Sequence, residues 1–97
     1  MAVLESNIDL TGSEYVANKI KTESLVADLN MKITCIEKGG AEKYRDRHVE
    51  RGKLLPRDRI RRLLDKGSAF LELSQLAAYD VYDADVPAAG IITGIGR

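Results

Sequence analysis

Residues 39–67 read GGAEKYRDRHVERGKLLPRDRIRRLLDKG, and this stretch decides the fold. Glycine, proline and charge punctuate it at helical intervals. Gly39-Gly40 stops whatever helix precedes it, because both residues enter the left-handed conformation of a helix C-terminus at little cost. Ala41 to Arg51 then reads as a short second helix, with Ala41, Tyr44 and His48 on one face and Gly52 closing it. Pro56 sits where a first-turn proline belongs, pre-set in φ and needing no N–H partner. A third helix runs from there to Asp65, with Ile60, Leu63 and Leu64 expected to be buried and Gly67 as its stop.

Upstream, Thr11-Gly12-Ser13-Glu14 has the spacing of a capping box, with Ser13 as a rival N-cap. No Pro or Gly follows until Gly39, so one long helix reaches Glu37. At 100° per residue, Tyr15, Thr22, Val26, Leu29, Ile33 and Ile36 form one stripe, and Val16, Ile20, Ala27 and Met31 a second, weaker one. Two apolar stripes call for two partners, and the short remainder of the chain offers too little to supply both. Downstream, Phe70–Leu73 is a strand candidate, Ala78–Ala89 is acidic and turn-like around Pro87, and Gly90–Gly96 reads as a second strand. Its glycines allow close backbone approach or a bulge. A lone pair of strands is marginal in water. The expectation is therefore the opening piece of a larger protein, halted in mid-strand at Arg97.

Ninety-seven residues bound one small domain. Hydrophobic content of 44% and charged content of 31% argue against disorder. With one Phe, four Tyr and no Trp, the core must rest on Leu, Ile, Val and Ala. The opening MAVLESNIDL has neither a basic nor an apolar leader region, and no apolar run approaches the roughly 20 residues of a membrane helix. The chain reads as cytoplasmic, or as belonging to the mitochondrial matrix if its source is eukaryotic. The single Cys35 cannot form an internal disulfide, and within Ile33-Thr34-Cys35-Ile36 it reads as a buried or half-buried thiol rather than a nucleophile.

The net charge is zero, but it is unevenly placed. Residues 1–37 balance to −3, residues 38–66 to +6 and residues 67–97 to −3. Lys43 to Arg62 alone carries nine Lys or Arg. Two readings of this band stand side by side: a salt-bridged, solvated helical face, or an edge that meets phosphate groups. Nucleic acid is the weaker form of the second, because no recognition helix and no interleaved aromatics accompany the charge. His48, the only histidine, has no ligand cluster around it and reads as a packed or hydrogen-bonded residue. Asp80, Asp83 and Asp85 lack the glycine and glutamate of a calcium loop. Gly94-x-Gly96 lacks the rest of a dinucleotide fingerprint, and no phosphate loop or nucleophile elbow is present.

The run His48-x-x-Arg51-Gly52-Lys53-Leu54-Leu55-Pro56-Arg57-Asp58-Arg59-Ile60 continues into Leu63-Leu64-Asp65-x-Gly67-Ser68-x-Phe70-Leu71-Glu72-Leu73. Val86-Pro87 and Gly90-Ile91-Ile92-Thr93-Gly94-Ile95-Gly96-Arg97 follow. Together they resemble the start of the carboxyltransferase (β) subunit of biotin-dependent acyl-CoA carboxylases. Leu54-Leu55-Pro56 and Phe70-Leu71-Glu72-Leu73-Ser74 are most similar to the methylcrotonoyl-CoA branch, with propionyl- or geranyl-CoA types as alternatives. Ala88-Ala89 departs from the glycines that many members carry.

The resemblance implies an α+β fold: N-terminal helices plus the first strand or strands of a crotonase-like (ClpP/crotonase) acyl-CoA-binding domain, incomplete here. Residues 1–38 would be an N-terminal long helix and residues 39–97 the start of the domain. It implies CO2 transfer from carboxybiotin to 3-methylcrotonoyl-CoA in leucine catabolism. Biotin would be carried by a partner α subunit, and further β copies would complete the assembly. Arg51, Lys53 and Arg57 would contact acyl-CoA phosphates. No metal and no catalytic residue is carried onto this chain, because the family's oxyanion donors fall beyond Arg97, and the 97 residues alone would be inactive. The reading from a different class is a non-catalytic helical interaction module.

Overall fold

The computed structural model describes residues 2–97. In chain order it contains α1 (Ser13–Glu37), α2 (Glu42–Glu50), α3 (Pro56–Leu63), β1 (Phe70–Leu73), a 3-10 turn (Pro87–Gly90) and β2 (Thr93–Gly96). The chain divides into two compact units, Met1–Met31 and Lys32–Arg97, and the division falls inside α1.

In the first unit, the helix start is set by Asp9. Its carboxylate accepts the Thr11 N–H at 2.9 Å and the Thr11 hydroxyl at 2.7 Å, while its carbonyl accepts the Gly12 N–H at 3.3 Å. The Val16 N–H then reaches the Gly12 carbonyl at 3.1 Å, so the helix opens at Ser13. The Thr11 hydroxyl thus donates backward to Asp9, and with the first helical bond accepted by the Gly12 carbonyl the N-cap place falls to Gly12 rather than to Thr11 or Ser13. Val16, Ile20, Val26 and Leu29 on this part of α1 are exposed.

In the second unit, α1 ends as its glycines dictate. Gly39 takes φ +82° and donates to the Ile36 carbonyl at 3.0 Å. Two arginines of the basic band then satisfy the last carbonyls. Arg45 Nη1 donates to the Lys38 carbonyl at 3.0 Å, and Arg57 Nε donates to the Glu37 carbonyl at 3.2 Å. Cationic groups suit this end of a helix, where the aligned peptide dipoles leave a partial negative charge. Ile36 and Ala88 are the buried hydrophobic residues among those described. Cys35, expected to be at least half-buried, is exposed. Ile36 and the half-buried Ile33 take the inward face, and at 100° per residue Cys35 falls outside it.

β1 and β2 form a two-stranded antiparallel sheet in the register Phe70↔Gly96, Leu71↔Ile95, Glu72↔Gly94 and Leu73↔Thr93. Residues paired in this way share a face of the sheet. On one face the ring of Phe70 and the side chain of Leu64 lie directly on the backbone of β2. A Cβ at Gly94 would overlap the Phe70 ring, and one at Gly96 would stand 2.6 Å from Leu64 Cδ2. The close approach expected of these glycines is thus filled by two specific side chains. Beyond the sheet, the Arg97 carbonyl accepts the Asp65 N–H at 2.7 Å and the Ser68 hydroxyl at 3.2 Å, tying the end of β2 to the α3–β1 connection.

Two expectations are corrected here. The second strand begins at Thr93 rather than Gly90, because residues 87–90 coil into a 3-10 turn with Ala88 and Ala89 at φ +51° and +53°. Leu63 is 84% exposed rather than buried. The helix ends on it, and Leu64, with extended backbone at ψ 154°, is the residue that turns in to cover Gly96.

Candidate functional site

The connection between α2 and α3 concentrates the charged residues singled out from the sequence. α2 closes with a Schellman pair: the Gly52 N–H reaches the Val49 carbonyl at 2.8 Å and the Lys53 N–H reaches the His48 carbonyl at 3.2 Å. Gly52 holds φ +73°, where a side chain would be strained. His48 then pins the loop from inside, with Nε2 3.0 Å from the Leu54 carbonyl. A carbonyl only accepts, so Nε2 carries the proton. The sole histidine is a hydrogen-bonded structural residue, half-buried against the turn it organises. Leu55 follows with extended backbone at ψ 153°, and Pro56 opens α3.

This loop separates the three candidate phosphate contacts. Arg51 and Lys53 are exposed on it. Arg57, the second residue of α3, is turned toward α1 and β1 instead. Its Nη2 and Nη1 donate to the two carboxylate oxygens of Glu72 at 2.7 and 3.1 Å, and its Nε is on the Glu37 carbonyl. The side chains of this ion pair are only 16% and 11% exposed. Glu72 also accepts from Gln75 Nε2 at 3.3 Å. Three N–H groups of Arg57 are thus occupied by α1 and β1, whereas Arg51 and Lys53 face solvent. Elsewhere in the band Arg61 makes an ordinary surface pair with Asp58 at 2.9 Å, which contributes little.

Beside Arg57 lies a groove of about 540 Å³ whose wall includes Arg45, Arg61, Asp85, Ala88 and Ile91. Its apolar side comes from the 85–92 segment, where the Ala89 N–H is held by the Ala77 carbonyl at 2.9 Å. Among the described residues, no group of three or more His, Cys, Asp or Glu is placed to hold a metal ion. No described helix is long and apolar enough to cross a membrane.

Sequence reading singled out Arg57 for its charge and missed its partner. Glu72 lies fifteen positions away on another element, and neither helical nor strand periodicity links such a pair. The capping role of Arg45 was equally hidden, since its acceptor is a backbone carbonyl.

Residues 47–97 match the family model described as the carboxyl transferase domain. The chain belongs to the carboxyl transferase domain family. Among curated proteins, this carboxyl transferase chain is 62% identical over 73 residues to the biotin-dependent 3-methylcrotonyl-coenzyme A carboxylase beta1 subunit of Mycobacterium tuberculosis. That alignment covers 75% of this chain and 14% of the relative. It is 49% identical over 96 residues to the probable mitochondrial methylcrotonoyl-CoA carboxylase beta chain of Drosophila melanogaster, covering 98% of this chain and 17% of that one. Among solved structures, the beta subunit of P. aeruginosa geranyl-CoA carboxylase superposes with a TM-score of 0.78 at 35% identity. It matches 99% of this chain and 18% of its own. The carboxyl transferase chain described here thus spans about one-sixth of the length of these curated relatives.

Proposed function

We propose that this chain works within the carboxyltransferase β subunit of a methylcrotonoyl-CoA carboxylase, as the helical entry and first hairpin of a crotonase-like acyl-CoA-binding domain. The observation that carries this reading is the identity to methylcrotonoyl-CoA carboxylase β chains, 49% over 98% of this chain for the Drosophila protein, against 35% over 99% of it for the geranyl-CoA enzyme. The TM-score of 0.78 to the latter supports geranyl-CoA carboxylation as the second reading. Biotin, carboxylated on a partner α subunit, supplies the CO2 in either case, and no residue of this chain is assigned to it. Further β copies complete the assembly. A bacterial enzyme of this kind would work in the cytoplasm, and a eukaryotic one in the mitochondrial matrix, as the name of the Drosophila relative indicates.

Within that reading, the chain's contribution is binding and positioning. Arg51 offers a planar fork and Lys53 a compact charge, both exposed on a loop fixed by two backbone bonds and by His48. Such a pair suits the phosphates of coenzyme A. Arg57 acts one step back, as the residue that sets α3 against α1 and β1. The test is a chimera: the aligned segment of the M. tuberculosis β1 subunit is replaced by this chain and assayed with carboxybiotin and 3-methylcrotonoyl- or geranoyl-CoA. Turnover of 3-methylcrotonoyl-CoA is expected. Preference for geranoyl-CoA would transfer the assignment to the second reading.

A further inference from the structure

We propose that the groove beside Arg57 is a binding site for a small zwitterion with an apolar body, namely an α-amino acid bearing an aliphatic side chain. The groove lies wholly within the second unit, and the proposal does not depend on the acyl-CoA reading above. Its volume of about 540 Å³ falls inside the roughly 300–1,000 Å³ of small-molecule sites. Ile36, Val86, Pro87, Ile91 and Ile92 give it an aliphatic wall, and Ile91 is 65% exposed there. Such a wall, joined by a few convergent polar groups, is the composition of a ligand site.

The charges of the groove select the ligand. Arg57 is engaged by Glu72 and Arg61 by Asp58. Lys38 and Arg45 remain, against Glu37 and Asp85, and among the described residues none of these four side chains is in an ion pair. The remaining charge is balanced, so a molecule with one charge of each sign matches it better than an anion or a cation does. Arg45 fixes the place of the anionic end. Its Nη1 donates to the Lys38 carbonyl at 3.0 Å, while Nε is enclosed and has no acceptor. Buried N–H groups are nearly always hydrogen-bonded, so this one calls for an acceptor. With Nη1 engaged, the edge formed by Nε and Nη2 is left for a carboxylate, which takes two parallel bonds from a guanidinium. Asp85, exposed on the same groove, accepts from the ammonium group. The aliphatic side chain then covers Val86, Ile91 and Ile92 and removes apolar surface from water.

Calorimetric titration of the chimera with L-norleucine tests the site. Hexanoate, which lacks the ammonium group, and pentylamine, which lacks the carboxylate, are titrated beside it. L-norleucine should bind saturably and more tightly than either. Asp85→Asn should weaken L-norleucine about three- to fivefold, the scale of one exposed ion pair, and leave hexanoate as tight or tighter. Arg45→Gln should weaken L-norleucine and hexanoate about tenfold and leave pentylamine unchanged. Arg45 also caps α1, so unchanged pentylamine binding separates loss of the fork from loss of the groove. Should Arg45→Gln lose all three ligands, the Asp85→Asn comparison decides alone. Absence of saturable binding, hexanoate as tight as L-norleucine, or indifference to Asp85→Asn would overturn the proposal. Should the chimera not assemble, the 97-residue chain is titrated instead, with the amide resonances of Ala88, Ala89 and Ile92 as reporters. They should shift with L-norleucine, and their silence would overturn the site. Turnover of acyl-CoA without L-norleucine binding removes this site and leaves the function standing, and binding without turnover does the reverse.

Discussion

Arg57 closes a two-bond fork on the carboxylate of Glu72, at 2.7 and 3.1 Å, while its Nε holds the Glu37 carbonyl at 3.2 Å. One side chain thus joins the end of α1, the start of α3 and the first strand. Removing it strands a largely enclosed carboxylate. Arg57→Met should destabilise the second unit by about 2–4 kcal/mol, somewhat below the cost of breaking a fully buried pair. Arg57→Lys keeps the charge but loses the fork, and should recover only part of that loss. Urea unfolding followed by circular dichroism makes the comparison, and a Lys variant as stable as wild type would show the fork to be immaterial.

The glycines of β2 are a packing requirement. Gly94→Ala drives a methyl into the Phe70 ring and Gly96→Ala drives one into Leu64. Each should cost about 1–3 kcal/mol, the range for overfilling a tight contact. Pairing Gly94→Ala with Phe70→Leu should return part of the loss. Double-mutant unfolding measurements check this, and strict additivity would exclude direct contact as the cause.

Ala88 and Ala89 both occupy the left-handed region, which costs a residue with a Cβ about 1–2 kcal/mol. Ala89 is exposed, so Ala89→Gly loses no packing and should raise stability by roughly 0.5–1 kcal/mol after the extra entropy of glycine is deducted. Ala88 is buried, and Ala88→Gly should gain less because its methyl fills space. Thermal melts of the two variants, ranked against wild type, decide the order.

Asp9 gives a pH-dependent signal at the head of α1. The Thr11 hydroxyl, then the Thr11 N–H, favour its charged form and hold its pKa below the ordinary 3.8. Its contribution to holding the turn is present above the unfolded value of 3.8. It is lost as pH falls through the lower folded value. The Thr11 amide resonance, followed through an acid titration, should therefore move with a midpoint below 3.8. A midpoint at or above that value would mean the turn does not form in solution.

Much of this fold is legible in the sequence because local chemistry dictates it. Gly39 and Gly52 mark helix ends because they take a left-handed turn that other residues adopt only under strain, and Pro56 marks a helix start because its φ is pre-set and its missing N–H is not needed there. Phe70–Leu73 and the close approach over Gly94 and Gly96 follow from pattern and from missing side chains. Leu63, Cys35 and the start of β2 were misread for a common reason: each depends on what packs against the element, which periodicity does not contain. For the candidate site, the basic band was visible as charge. Its division into Arg45 and Arg57 turned inward, with Arg51 and Lys53 facing out, was not, because carbonyls and a distant Glu72 make that choice.

The most direct test of the account is steady-state kinetics on the chimera that carries this chain in the M. tuberculosis β1 subunit. With carboxybiotin and 3-methylcrotonoyl-CoA the chimera should turn over. Arg51→Gln/Lys53→Gln should raise the KM for the acyl-CoA several-fold at low salt with kcat nearly unchanged, the pattern of lost ground-state and transition-state binding in equal measure. A folded, assembled chimera with no turnover, or one whose KM ignores both substitutions, would contradict the account.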